Sequence, residues 1–87
     1  MEDILLSLGF DKEDINSLLF ELDKYNTHVL RKNIDSLLRY NCNSGFIRYI
    51  VSNRNDVLSM DCDRFIYILD AIISNNDIIE ETLLDLV

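Results

Sequence analysis

The sequence predicts an all-α fold of five to six short helices, arranged in a repeat-like stack or a compact bundle. The 87 residues include no proline and only two glycines, whereas a sheet protein of this size needs more glycine-rich turns. Leucine and isoleucine recur throughout the chain at the three- and four-residue spacing of amphipathic helices. The same apolar pattern returns about 32 residues later, which is typical of arrays in which each helical unit packs on the next.

The repeat divides the chain into two copies and a partial third copy. Leu5-Leu6 of the first copy aligns with Leu37-Leu38 of the second. At 87 residues the chain is a single domain, which can hold a core but not a core and a deep catalytic cleft. The approximate repeats are residues 5–36, 37–68 and 69–87.

Capping residues and turn residues predict where the helices begin and end. Gly9 is suited to the left-handed position that ends a first short helix. Asp77 and Glu80 have the spacing of a capping box at the start of the last helix. The predicted N-caps of the second, third and fifth helices are Asp11, Thr27 and Asp61. The predicted helices cover residues 3–8, 11 to a turn at 25–27, 28–40, 44–52, 62–74 and 77 to the end, with a connector at 57–60.

Helical spacing also predicts which side chains face the core. The inward positions are Ile15, Leu18, Leu19, Leu22, Leu30, Ile34, Leu37, Leu38, Phe46, Ile47, Ile50, Val51, Phe65, Ile66, Ile68, Leu69, Ile72 and Ile73.

Charge is distributed in three blocks along the chain. Residues 1–23 hold seven acids and one base, a net charge of −6. Residues 24–55 hold six bases and one acid, a net charge of +5, and residues 56–87 hold eight acids and one base, a net charge of −7. A strongly acidic surface attracts basic proteins and repels polyanions at long range. A simpler interpretation is that acidic and basic helices neutralise each other within the fold.

The leading functional hypothesis is a non-catalytic binding protein of the inhibitor, immunity or adaptor type. Its acidic helices would bind another protein that has a basic surface, through Asp70, Asp77, Glu80, Glu81, Asp85, Glu13 and Asp14. The alternative is a nucleic-acid-binding module that uses the basic middle block, in which tyrosines alternate with bases. Its phosphate-binding residues would be Arg31, Lys32, Arg39, Arg48 and Arg54. A self-assembling module is a third possibility.

The sequence lacks the residue combinations of common catalytic and metal sites. His28 is the only histidine and the two cysteines are far apart, whereas zinc needs three or four protein ligands. The glycines are isolated, so no phosphate-binding loop is predicted. We therefore expect no enzyme activity, no metal and no cofactor.

Location is predicted from the first residues and from the lengths of the apolar runs. Glu2 and Asp3 stand where a signal peptide needs positive charge. No apolar run approaches the roughly 20 residues that cross a bilayer. We expect a cytoplasmic protein with no membrane contact and with reduced cysteines, a single bridge between Cys42 and Cys62 being the alternative.

A series of short motifs resembles the helical repeats of the mitochondrial transcription termination factor family. The residues are Leu8-Gly9-Phe10-Asp11, Asp14-Ile15, Val29-Leu30 and Leu37-Leu38, which recur loosely as Asn41-Cys42-Asn43, Ile47, Val57-Leu58 and Ile68-Leu69. The resemblance covers about two and a half units. It implies a helical stack and the basic, nucleic-acid-binding concave face of that family.

This chain departs from the family pattern in three ways. It is far shorter, it is acidic overall, and Asn55 stands where a proline usually precedes the second helix. Leu8-Gly9-Phe10 is also similar to the first loop of ubiquitin-associated domains, in a match that covers about the first 40 residues.

Overall fold

The computed structural model describes all 87 residues and shows an all-α fold. Six α-helices and one 3₁₀ helix account for the regular structure, and no strand is present. This confirms the predicted fold class. The α-helices are α1 (Glu2–Ser7), α2 (Lys12–Leu22), α3 (Thr27–Arg39), α4 (Ser44–Asn53), α5 (Cys62–Ser74) and α6 (Ile79–Leu86), and the 3₁₀ helix is Asn55–Ser59.

The same turn joins α1 to α2, α3 to α4 and α5 to α6. Gly9, Asn41 and Asn76 have φ angles of 97°, 60° and 60° in the three turns. In each turn the amide of that residue donates to the carbonyl three positions earlier, and the next amide donates to the carbonyl five positions earlier. This is the Schellman motif, which glycine and asparagine favour because they tolerate the left-handed conformation. The chain therefore contains three helix–turn–helix units.

The first helices of the three units form one row, which we call the first-helix row (α1, α3 and α5). Asp3 of α1 contacts Arg31 of α3, with Oδ1 and Nη1 separated by 3.2 Å. The buried Asn33 of α3 donates from Nδ2 to the carbonyls of Leu58 and Met60, at 2.8 Å each, and so fixes the approach to α5. α3 and α5 then pack against each other.

The second helices form the second-helix row (α2, α4 and α6). Arg48 of α4 donates to the carbonyl of Leu8 just before α2, at 2.6 Å. Asn43, at the start of α4, donates to the carboxylate of Glu80 on α6. The three units stacked side by side give an elongated molecule of 39 × 22 × 20 Å.

The core runs between the two rows and contains 19 buried apolar residues. The prediction that three residues face the core is wrong, because Leu38, Ile66 and Ile73 are 43%, 37% and 50% exposed. Leu19, Phe46 and Ile68 are only partly buried. All six are apolar residues at the edges of helix faces, where the neighbouring helix no longer covers them.

Two predicted caps are wrong by a small shift in sequence. Asn26, not Thr27, caps α3, because its side-chain oxygen accepts from the amides of His28 and Val29 at 2.9 and 3.3 Å. At α6 the capping box of Asp77 and Glu80 does not form, and Ile78 occupies the N-cap position. The Glu80 carboxylate instead accepts from the α4 start.

The other predicted caps stand where expected. Asp61 accepts from the amide of Arg64 at 3.1 Å. Asp11 occupies the N-cap position of α2 without a side-chain hydrogen bond. None of the helices combines the length and the apolar character needed to span a bilayer.

Candidate protein-binding face

Acidic side chains concentrate on the second-helix row. That row carries six carboxylates (Glu13, Asp14, Glu21, Glu80, Glu81 and Asp85) and two bases (Lys12 and Arg48). The first-helix row carries five carboxylates (Glu2, Asp3, Asp35, Asp63 and Asp70) and four bases (Arg31, Lys32, Arg39 and Arg64). Each unit contributes one helix to each row, so the fold redistributes the charge blocks of the sequence.

Ion pairs engage two of the five carboxylates and two of the four bases of the first-helix row. Arg31 donates to both carboxylate oxygens of Asp3, each at 3.2 Å. These hydrogen bonds hold the pKa of Asp3 well below its ordinary value and raise the pKa of Arg31. Asp35 and Arg39 form a second pair one turn apart on α3, with an N–O distance of 2.8 Å.

The carboxylates of the second-helix row have no basic partner. None of the six lies within 4.0 Å of a lysine, an arginine or the N-terminus. Glu81 and Asp85 stand four residues apart on α6, where like charges repel. Asp85 also lies in the last turn of α6, and Glu21 in the last turn of α2, where a negative charge opposes the helix dipole. Local helix stability therefore does not account for Asp85 or Glu21.

Most residues of the predicted phosphate-binding set are engaged within the fold. Arg31 and Arg39 form the ion pairs described above, and Arg54 pairs with Asp56 at 3.3 Å. Hydrogen bonds from Arg54 lower the pKa of Asp56. Of this set only Lys32 has neither an ion pair nor a side-chain hydrogen bond.

Arg48, the remaining member of that set, is half-buried between two glycines. A methyl group added at Gly9 would lie 3.2 Å from Nη1 of Arg48, and one added at Gly45 would lie 3.8 Å from its Nη2. The guanidinium fills this space and donates to the Leu8 carbonyl. Its role in the structure is to hold α4 against the turn between α1 and α2.

Two exposed aromatic side chains lie on the second-helix row. Phe20 of α2 is 86% exposed and Tyr49 of α4 is 52% exposed. Tyr49 lines a shallow groove of about 330 Å³ between α2 and α4, together with Asp11 and Asp14. Phe20 is absent from the predicted site, although its position outside the Ile15, Leu18 and Leu22 stripe is a signal in the sequence that it is exposed.

The predicted partner-binding residues lie on more than one surface. Five of the seven are on the second-helix row: Glu13, Asp14, Glu80, Glu81 and Asp85. Asp70 lies on the first-helix row and accepts a hydrogen bond from the hydroxyl of Tyr40, which raises the pKa of Tyr40. Asp77 lies in the turn between α5 and α6.

One carboxylate of the second-helix row, that of Glu80, raises the pKa of a buried thiol. Cys42 is buried directly before Asn43, the residue that contacts Glu80. Burial raises the pKa of the Cys42 thiol to about 11, and the Glu80 charge adds to the effect. Since the thiolate is the reactive form of cysteine, the native environment keeps Cys42 unreactive at neutral pH.

No three His, Cys, Asp or Glu side chains come together as metal ligands would. Compared with protein-family models, with curated proteins and with solved structures, the chain matches none of them.

Proposed function

We propose that this chain is a protein-binding module whose second-helix row binds a partner protein with a basic surface. One observation carries the proposal: the six carboxylates of that row have no internal ion pair, whereas Asp3 and Asp35 of the other row are paired with Arg31 and Arg39. Unpaired surface carboxylates of one sign steer a basic partner and favour its orientation at the encounter.

The aromatic side chains of the row supply the contact area that charge alone does not. Tyr49 lies on α4, between the acidic helices α2 and α6, and Phe20 projects from α2. Exposed aromatic residues surrounded by polar groups are typical anchors of protein interfaces, where a few residues provide most of the binding free energy. In this arrangement the carboxylates act mainly on the association rate, and the aromatic residues act on the dissociation rate.

The contacts of the arginines favour a protein over a nucleic acid as the partner. Binding to phosphates would require Arg31, Arg39 and Arg54 to leave their carboxylate partners. Binding would also bring a polyanion to a chain with a net charge of −8. An acidic module of this size fits the role of an inhibitor or adaptor that covers a basic surface.

The test compares charge reversals on the two rows. Wild-type protein and the variants Glu81→Lys/Asp85→Lys and Glu2→Lys/Asp63→Lys are immobilised and exposed to extract from the source cell. Each double variant changes the net charge equally, so overall charge does not distinguish them. We expect a basic protein that wild type and the Glu2/Asp63 variant retain but that the Glu81/Asp85 variant loses.

Binding kinetics measured with the purified captured protein then show whether the association rate or the dissociation rate has changed. Reversal at Glu81 and Asp85 should lower its association rate by about tenfold, with a smaller change in dissociation rate. Phe20→Ser should raise the dissociation rate instead. Equal capture by all three proteins would contradict the proposal. Micromolar binding to nucleic acid that weakens steeply with salt would favour the nucleic-acid alternative.

A further inference from the structure

A half-buried arginine lies in the groove between α2 and α4, within the second-helix row. The groove of about 330 Å³ is lined by Arg48 and Tyr49 of α4 and by Asp11 and Asp14 at the start of α2. Arg48 and Lys12 are the only bases of that row, and Lys12 does not line the groove. A partner that covers the carboxylates of the row around this groove therefore also covers a cation.

The guanidinium of Arg48 makes few contacts within the chain. It donates one hydrogen bond, from Nη1 to the carbonyl of Leu8 at 2.6 Å, whereas a guanidinium carries five N–H donors. No carboxylate oxygen lies within 4.0 Å of its nitrogens, although Asp11 and Asp14 line the same groove. The two glycines of the chain also line the groove, so no side chain covers the guanidinium from those positions. Most of its donors are therefore available to a ligand.

The two carboxylates of the groove have no partner within the chain either. Asp11 stands at the N-cap of α2, but its side chain accepts no hydrogen bond there. Neither Asp11 nor Asp14 forms an ion pair. The groove therefore presents one cation and two anions, and a ligand that matches it carries charges of both signs.

Covering the groove removes water from the Arg48 guanidinium. A charged donor that loses water without gaining an acceptor is costly to bury. A uniformly basic surface would leave the guanidinium unpaired and would also place like charges beside it, which opposes binding. A carboxylate on the partner removes both penalties, because it accepts two parallel hydrogen bonds from a guanidinium.

We infer that the groove selects a partner whose basic surface carries a carboxylate between its lysine or arginine side chains. Arg48 binds that carboxylate, and Asp11 and Asp14 bind the flanking bases. The exposed ring of Tyr49 packs against the aliphatic stems of those bases. The inference rests on the proposed function, because it names the charge pattern that the second-helix row recognises. Arg48 thus gives the face specificity, since it rejects a uniformly basic protein.

Two capped peptides test the inference by NMR titration of the full chain: Lys-Ala-Lys-Glu-Lys-Ala-Lys and the same peptide with Gln in place of Glu. The net charge of −8 favours the Gln peptide, because that peptide is the more positive of the two. We expect the opposite order, with a dissociation constant about threefold lower for the Glu peptide, the effect of one ion pair at a partly exposed site. The Nε–Hε resonance of Arg48 should shift with the Glu peptide and not with the Gln peptide.

Matched variants assign the preference to the groove. Arg48→Gln should abolish the preference for the Glu peptide, whereas Lys12→Gln, the same charge change outside the groove, should retain it. Asp14→Asn should weaken both peptides and leave their order unchanged, because it removes a contact to the lysines alone. Circular dichroism checks the fold of each variant. If Arg48→Gln unfolds through loss of the Leu8 bond, the Arg48 resonance in wild type decides.

Three results would overturn the inference: a Gln peptide that binds wild type as tightly as the Glu peptide, a preference that persists in Arg48→Gln, or no binding of either peptide at millimolar concentration. The capture comparison at Glu81 and Asp85 tests the row as a whole, and the order of the peptides tests the groove. Failure of the inference is therefore distinguishable from failure of the proposed function.

Discussion

Arg48 links the first unit to the second through a single side chain. Its guanidinium donates to the Leu8 carbonyl at 2.6 Å and occupies the space left by the missing side chain of Gly9. Gly9 also has a φ of 97°, which an L residue adopts only at a cost. Gly9 therefore serves both the turn and the contact between units.

Gly9→Ala should lower the free energy of unfolding by about 1–3 kcal/mol, because the new methyl group meets both the strained backbone and the Arg48 guanidinium. Asn76→Gly, at the equivalent position of the third turn, is the matched control and should be neutral or slightly stabilising. Urea denaturation followed by circular dichroism measures both. A Gly9→Ala protein as stable as wild type would contradict this account of the turn.

Cys42 provides a pH-dependent prediction at the residue scale. Its folded pKa of about 11 lies above the ordinary thiol value of 9.0. The native state therefore favours the neutral thiol, so the stabilising contribution is present below pH 9 and is lost as the pH rises through about 11. In a Cys62→Ser variant, alkylation of Cys42 by iodoacetamide should be slow at pH 8 and fast only after denaturation. Rapid alkylation of the native variant at pH 8 would show that the thiol is not protected.

At the element scale, the local signals in the sequence explain most of the helix boundaries. Asp61 caps α5 as predicted, and Gly9 ends α1 in the left-handed conformation that its residue type indicated. Asn41 and Asn76 perform the same role as Gly9, which the residue pattern showed less clearly because asparagine is also a common N-cap.

The errors occur where tertiary contacts decide between local alternatives. Glu80 has the sequence spacing of a capping box, but its carboxylate binds the start of α4, from another unit. Leu38 and Ile73 continue apolar stripes, yet no helix covers them. Helical periodicity predicts which side chains can be buried, whereas burial itself depends on how far the neighbouring helix extends.

The candidate binding face was predictable only in part, for the same reason. The sequence predicted Glu13, Glu81 and Asp85 as partner-binding residues, and these lie on one row of the structure. It grouped Asp70 with them because charge along the chain does not indicate which row a helix joins. That assignment requires the packing order of the three units.

At the scale of the whole molecule, the fold gives the two rows a different charge. The second-helix row carries six carboxylates without an ion pair, and the first-helix row pairs Asp3 with Arg31 and Asp35 with Arg39. The two rows lie on opposite sides of one core.

Salt dependence of stability tests this charge distribution. Raising NaCl from about 0.02 M to 0.3 M shortens the Debye length to below 10 Å, which weakens repulsion among the unpaired carboxylates of the second-helix row. It also weakens the surface ion pairs of Asp3 and Asp56, which contribute little because they are exposed. Repulsion should dominate, so the melting temperature should rise by a few degrees. The variant Glu81→Gln/Asp85→Asn should show a smaller rise, since it removes two of the repelling charges. A melting temperature that falls with salt would mean that the ion pairs outweigh the repulsion. Repulsion among the carboxylates of the second-helix row would then be too weak to destabilise the fold, and this argument for a basic partner would fail.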